Sequence, residues 1–321
     1  MRLLNVHTLD DAWTRLSEWD LAPSASAQSF GGFSNTATPI PDKGVFNGLI
    51  FTGLDDLYLS HGLLRLPCFI RTSAGGWTDQ AELPESDEWY SGLVSNFTAY
   101  APSNNNCARQ GWFCLDIETW DDSSQAARIA SSAKFVEHAT KTRAALNAAG
   151  YNNMKFTYYN YPMMRNFFQA THLPGDYYTL GGSTYAAWQQ QCEDFATMWA
   201  APLDIITPSL YFFYNRQDDG PNVVSLVRHY IEQNIYECRR MVRKYGNNQK
   251  IYPFVFYRQN DDAADLDHDV WLEICRMCWQ YADGFVLWGP VASTPWSTGK
   301  TLPFWTQLEP YFLTGRRPSK P

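Results

Sequence analysis

The sequence predicts an α/β fold, a (β/α) barrel of the TIM type that can have fewer than eight regular units, and three observations carry that prediction. The chain has 321 residues, 45% of them hydrophobic and 16% aromatic, enough to bury the core of one large domain or two small ones. From residue 57 onward, short apolar runs alternate with long amphipathic stretches, the pattern of repeated strand–helix units around a parallel sheet. Successive runs lie a few tens of residues apart, so each strand is followed by space for a helix. A doubly wound open sheet is the alternative.

Taken in order, residues 1–56 read as an N-terminal extension with a short helix. Within it, 22–45 are rich in Ser, Ala, Gly, Thr and Pro and suit a loop or extended arm. Residues 57–315 form the barrel, and 316–321 are a tail. Strands are predicted at 63–70, 112–118, 154–159, 205–212, 251–257 and 285–288. Ile129, Ala133, Val136 and Ala139 recur at helical spacing after Asp121, and Gly150 suits the C-cap of that helix. Val224, Val227, Ile231, Ile235, Cys238 and Val242 mark a second long helix, which Gly246 ends.

Charge and composition remove several classes of function. The formal net charge is −8 and the pI about 5.2, which gives no electrostatic reason to seek phosphate backbones or anionic membranes. No nucleic-acid partner is expected. No apolar run is long enough to cross a bilayer, and the first residues lack a secretory leader, so a soluble chain is expected. A secreted mature form trimmed of its leader fits the same sequence. Seven cysteines, an odd number spread thinly, do not make a disulfide framework. Cys275 and Cys278 form a CxxC inside a helical stretch, while Cys192 and Cys238 stand alone, so core thiols are expected rather than zinc. No phosphate-binding glycine loop or serine or cysteine triad signature is present, and no cofactor is expected.

The stretch FCLDIETWDD, residues 113–122, carries the chemistry. Side chains alternate along a strand, so Cys114, Asp116 and Glu118 share one face and Phe113, Leu115 and Ile117 the other. Two acids then stand at the C-terminal end of a strand, which in a barrel is the catalytic mouth. Helix capping accounts for Asp121, Asp122 and Ser123 but leaves Asp116 and Glu118 unexplained. A metal-dependent exonuclease also begins a motif with Asp-Ile-Glu-Thr. Two-metal hydrolysis needs further carboxylates from other segments, and Asp267-His268-Asp269 suits a helix N-terminus equally well. That reading is rejected.

Several segments in order resemble the hyaluronidase family of glycoside hydrolases. Asp116-Ile117-Glu118-Thr119-Trp120 resembles the family's Asp-Trp-Glu-x-Trp, and Tyr158-Tyr159-Asn160-Tyr161-Pro162, with Asn166 beyond it, resembles Phe-Tyr-Gly-Phe-Pro. Pro208-Ser209-Leu210-Tyr211 is similar to Pro-Ser-Ile-Tyr, and Val286-Leu287-Trp288-Gly289 to the family's closing strand. YLSHGLLRLPCF, from Tyr58, is a weaker echo of its first barrel segment. The resemblance implies a barrel that cleaves amino-sugar polymers, with Glu118 as acid/base, Asp116 steadying the substrate's 2-acetamido group, Tyr159 and Tyr211 as site tyrosines and Trp288 as the floor of the sugar site. The chain departs from the family at Asp121-Asp122, where the family has Arg-Pro, and at Met164, where it has Cys.

The chemistry can also be argued from the residues. Ordinary glycosidases hold two carboxylates roughly 5–9.5 Å apart across the scissile bond, and neighbours on one face of one strand do not straddle a sugar easily. Such a pair suits a reaction in which the acetamido oxygen is the nucleophile. Mutual repulsion also helps keep Glu118 protonated, as a general acid requires. Trp120 and Trp288, at or beyond strand ends, stand between core and site, whereas Trp271 and Trp279 on a helix suit packing. Arg258 suits either a substrate hydroxyl or carboxylate, or an ion pair with Asp261 or Asp262. The expected partner is a polysaccharide or oligosaccharide containing N-acetylhexosamine, neutral or weakly charged in view of the acidic balance. A carbohydrate-binding barrel without turnover is the alternative.

Overall fold

The computed structural model describes residues 44–49, 63–70, 87–98, 111–117, 122–162, 183–212, 223–259, 264–289 and 296–314. Strands and helices alternate from β4 onward. In order they are β1 (Gly44–Asn47), β2 (Leu64–Arg65), β3 (Cys68–Ile70), α1 (Asp87–Thr98), β4 (Trp112–Asp116), α2 (Gln125–Ala148), β5 (Lys155–Tyr158), α3 (Ser183–Asp194), α4 (Ala196–Trp199), β6 (Ile205–Ile206), α5 (Val223–Tyr245), β7 (Lys250–Ile251), β8 (Phe254–Phe256), α6 (His268–Tyr281), β9 (Gly284–Trp288), α7 (Trp296–Gly299) and α8 (Pro303–Thr314). The ladder between each paired couple of strands is parallel.

The strands form three sheets, in the orders β2-β1-β9-β8, β3-β4-β5 and β6-β7. Among the described residues the hydrogen-bonded ladder is therefore not one closed cylinder, although the parallel strand–helix alternation is as the sequence predicts. A proline stands at two of the breaks, and proline has no N–H to give a ladder. Pro67 lies between β2, which pairs with β1, and β3, which pairs with β4. Its carbonyl still accepts the Cys114 N–H at 2.9 Å. Pro253 likewise lies between β7, paired with β6, and β8, paired with β9. Two isolated parallel bridges, Tyr159 with Thr207 and Ser209 with Phe254, link the smaller groups.

The predicted strands are thus in place, most of them shorter or divided. That at 205–212 keeps only Ile205–Ile206 as a ladder. That at 112–118 is a ladder as far as Asp116, and Glu118 lies outside the described residues. The sequence reading did not pick out β1, which pairs with β2 on one side and β9 on the other. Gly48 after it is tightly enclosed, since a Cβ there would stand 3.1 Å from the Leu287 carbonyl and 3.2 Å from Val286.

The core fills the space between strands and helices. Phe113, Phe156, Phe254, Val255, Val286 and Leu287 are almost wholly buried on the strands. On α5 the expected stripe is inward: Val227, Ile231, Ile235, Cys238 and Val242 are buried, and Val224 packs against them. On α2 only the second half of the expected stripe is inward, with Ala139 buried and Val136 packed against the core. Ile129 is 53% exposed, Ala133 is exposed, and the buried face is Ser131, Ser132, Phe135, His138, Ala139, Thr142 and Leu146. Polar partners make that face possible, as burial of unbonded polar groups would be costly. Ser132 Oγ lies 2.6 Å from Thr197 Oγ1 and accepts the Met198 N–H at 3.1 Å. His138 Nδ1 lies 2.6 Å from the Tyr158 hydroxyl.

The start of α2 differs from the expected capping as well. Ser124, rather than Asp121, Asp122 or Ser123, accepts the Ala127 N–H at 3.1 Å, the ordinary N-cap bond. At its far end the helix stops at Ala148, and Gly150 follows with φ of +85°, a conformation that favours glycine.

Candidate active site

In each parallel strand the C-terminal end faces the same rim, and the site residues are gathered there. Asp116 is the last residue of β4, in register with Ile70 on β3. Tyr159 follows β5 directly and bridges to Thr207 beyond β6. Ser209 bridges to Phe254 at the start of β8, and Tyr211 lies two residues further. Trp288 closes β9 opposite Phe256. Alternation explains which side chains share a face: Cys114 and Asp116, Thr157 and Tyr159, and Thr207, Ser209 and Tyr211 are each spaced by two.

The aromatic rings form one connected arc. Tyr159 and Tyr211 have ring centroids 5.8 Å apart, Tyr159 meets Phe254 edge-on at 5.0 Å, and Phe254 meets Trp288 at 6.0 Å. Tyr211 also contacts Phe256 at 5.4 Å. Tyr159 and Tyr211 are each only 6% exposed, while Trp288 and Asp116 are half-buried. The Tyr159 hydroxyl donates to Ser209 Oγ at 2.8 Å, which fixes its direction.

The electrostatics tie the arc to the acid. Burial holds the Tyr211 hydroxyl well above the ordinary tyrosine range, and the neighbouring Tyr159 and Cys68 and the charge of Asp116 push the same way. Cys114 is likewise raised well, first by burial and then by its neighbour Cys68, with Asp116 adding to it. Asp116 therefore acts on Tyr211, Cys68 and Cys114 alike, and the two thiols beneath it stay protonated. Below this level, Thr157 Oγ1 donates to the Ile205 carbonyl at 2.9 Å and Thr207 Oγ1 to the Tyr158 carbonyl at 2.8 Å. A bonded polar layer thus lies beneath the site.

The structure places Asp116, Tyr159, Tyr211 and Trp288 at the C-terminal ends of their strands. Glu118 and Trp120 lie outside the described residues, as do Asp121, Asp261, Asp262 and Met164. Among the described residues Arg258 pairs with Asp265 at 3.2 Å, and its guanidinium stands 5.4 Å from the Tyr257 ring centre. Both partners are largely solvated, so the pair contributes little to stability. Ser209 was given no role by the sequence, although its two-residue spacing from Tyr211 was a usable signal. Trp271 and Trp279 are buried on α6 as packing residues, and Cys275 and Cys278 are free buried thiols. Among the described residues no group of three or more potential metal ligands occurs, and no helix is long and apolar enough to cross a membrane.

A parallel α/β scaffold with a carboxylate and two tyrosines at its C-terminal rim is the class that fold and site define. The chain is similar in fold to bee venom hyaluronidase: the superposition has a TM-score of 0.50 at 14% identity and covers 84% of this chain and 96% of the bee protein. A second structure of that enzyme, in complex with a hyaluronic acid tetramer, gives 0.48 at 14% identity, covering 85% and 96%. No family model matches the sequence, and no curated protein does.

Proposed function

We propose that this chain is a glycoside hydrolase that cleaves glycans containing N-acetylhexosamine, with retention of configuration and with help from the substrate's own acetamido group. The observation that carries the reading is the position of Asp116 at the C-terminal end of β4, acting on Tyr211 in a rim shared with Tyr159. The hyaluronidase-like fold supports it. The catalytic unit comprises residues 57–315 together with β1 (Gly44–Asn47), which the sequence placed in the arm over 1–56 but which pairs with β2 and β9; a tail over 316–321 follows. In this reading the strands belong to a (β/α) barrel in which, among the described residues, β2 with β3, and β7 with β8, each count as one divided strand.

In this mechanism Glu118 protonates the leaving glycosidic oxygen and later activates water. Asp116 orients the acetamido N–H and stabilises the cation that forms as the acetamido oxygen attacks the anomeric carbon. The hydroxyls of Tyr159 and Tyr211 are the donors for charge developing on oxygen. Trp288 and Trp120 offer rings to pyranose faces, and Arg258 reaches a substrate hydroxyl or carboxylate when its pairing with Asp265 opens. No metal or cofactor takes part.

The test is to incubate the protein with hyaluronan, unsulfated chondroitin and chitin oligosaccharides and to measure new reducing ends. Release from at least one of them is expected. Binding across the panel without any release would overturn the proposal in favour of a carbohydrate-binding barrel without turnover.

A further inference from the structure

Ser209 carries a buried hydroxyl at the site that the proposed mechanism does not use. Its main chain is clamped on both sides by one residue of β8: the Phe254 N–H donates to the Pro208 carbonyl at 2.8 Å, and the Leu210 N–H to the Phe254 carbonyl at 2.9 Å. Tyr159 is held as firmly. Its own N–H donates to the Leu115 carbonyl on β4 at 2.9 Å, and the Asn160 N–H donates to the Thr207 carbonyl at 2.9 Å. The two side chains therefore meet from fixed backbones, and the Tyr159 hydroxyl donates to Ser209 Oγ at 2.8 Å with both residues buried.

A phenol carries one hydroxyl proton. That of Tyr159 points at Ser209, so Tyr159 cannot donate toward the rim at the same time. Tyr211, whose ring centre lies 5.8 Å from that of Tyr159, is hydrogen-bonded to the Tyr159 side chain in turn, and the bond helps Tyr211 keep its proton, as a bond does for its donor. Both phenol protons thus point inward along one line, from Tyr211 to Tyr159 to Ser209. A serine hydroxyl can donate as well as accept. When the Ser209 O–H turns toward Tyr159, Tyr159 can donate to Tyr211, and the Tyr211 proton is released toward the rim.

We propose that Ser209 is a positioning residue for both site tyrosines: it is the inner terminus of a relay of three hydroxyls, Ser209–Tyr159–Tyr211, whose joint rotation turns the Tyr211 proton outward as charge develops on a substrate oxygen. No covalent bond forms or breaks in the turn, because each hydrogen swings about its own C–O bond and each oxygen keeps its proton. The proposal deepens the glycosidase reading and rests on it for its catalytic consequence. The outward bond forms only against developing charge, so its loss belongs in kcat and not in KM.

The experiment uses the full chain, isotopically labelled at tyrosine Cζ, with unsulfated hyaluronan oligosaccharides as substrate. Ser209→Ala is expected to lower kcat roughly ten- to a hundred-fold with KM within about threefold. Ser209→Cys keeps the volume but is a weak donor and acceptor, and it carries the same expectation should the alanine variant fail to fold. In Tyr159→Phe the relay is already cut, so adding Ser209→Ala should lower kcat little further. Ser132→Ala removes another buried serine bond, between α2 and α4, and should lower the melting temperature without changing kcat. The Tyr159 Cζ resonance, identified by its loss in Tyr159→Phe, should shift in Ser209→Ala, and that of Tyr211 with it. Undiminished kcat in Ser209→Ala, an additive loss in the double variant, an equal loss in Ser132→Ala or an unmoved Tyr159 resonance would each overturn the proposal. An unmodified protein with no turnover would defeat the glycosidase reading, and the resonance would still decide whether Ser209 holds the Tyr159 hydroxyl.

Discussion

Single residues set the shape of the rim. Gly289 follows Trp288, and a Cβ there would stand 2.7 Å from Tyr257 Cε1 and 3.0 Å from Leu49 Cδ2. The Tyr257 ring has little room to retreat, because it is stacked on Phe304 at 4.0 Å and 13°. Gly289→Ala should therefore destabilise the fold by about 1–3 kcal/mol, the range for overpacking, measured by denaturant unfolding. A variant as stable as the parent would mean that the Tyr257–Phe304 stack yields easily. Residue placement was legible from sequence where alternation governs it, as with Cys114 and Asp116 on one face of β4. The Arg258–Asp265 pair was not, because nearer acids at 261 and 262 were equally good partners by charge alone.

At the scale of elements, α3 and α5 are clasped by charge. Glu193 receives Lys244 Nζ at 2.8 Å on both oxygens and Arg240 Nη1 at 2.6 Å, and Arg240 also bonds the buried Glu237. Lys244 first, and then Arg240, hold the Glu193 carboxyl at about 2 against an ordinary 4.5, burial opposing them. A carboxyl whose folded value is depressed stabilises the fold above its unfolded value, and that contribution is lost as pH falls through the folded one. Glu193→Gln should therefore melt below the parent at pH 7, and the gap should close between about pH 4.5 and 2. Thermal unfolding across that range checks it, and a gap independent of pH would show that the ion pairs are not its source. The apolar stripe of α5 was legible because its inward residues are hydrophobic at helical spacing. That of α2 was misread in its first half because its inward face also carries Ser131, Ser132, His138 and Thr142, and the partners of Ser132 and His138 come from α4 and β5. The missed β1 is a four-residue run with no period long enough to identify, and the prolines that divide the strands were present in the sequence without showing which neighbours each half would choose.

For the whole molecule, the net charge of −8 and the acid at the rim work against dense polyanions. Electrostatic steering slows association between like charges and weakens with salt. Turnover on a desulfated glycan is expected to exceed that on its highly sulfated form, with the difference shrinking as ionic strength rises. Faster cleavage of the sulfated polymer would contradict this and point to a basic groove. The parallel strand–helix scaffold and the gathering of site residues at one rim follow from the order of short apolar runs, each closing on a chemically distinctive residue. The central claim is that Glu118 supplies the proton, and the direct measurement is the release of reducing ends from an N-acetylhexosamine glycan by the unmodified protein and by Glu118→Gln. The substitution keeps shape and removes the transferable proton, so turnover should fall by at least the roughly 10²–10⁴-fold typical of a lost general acid, with glycan binding retained. Full activity in Glu118→Gln would contradict the account.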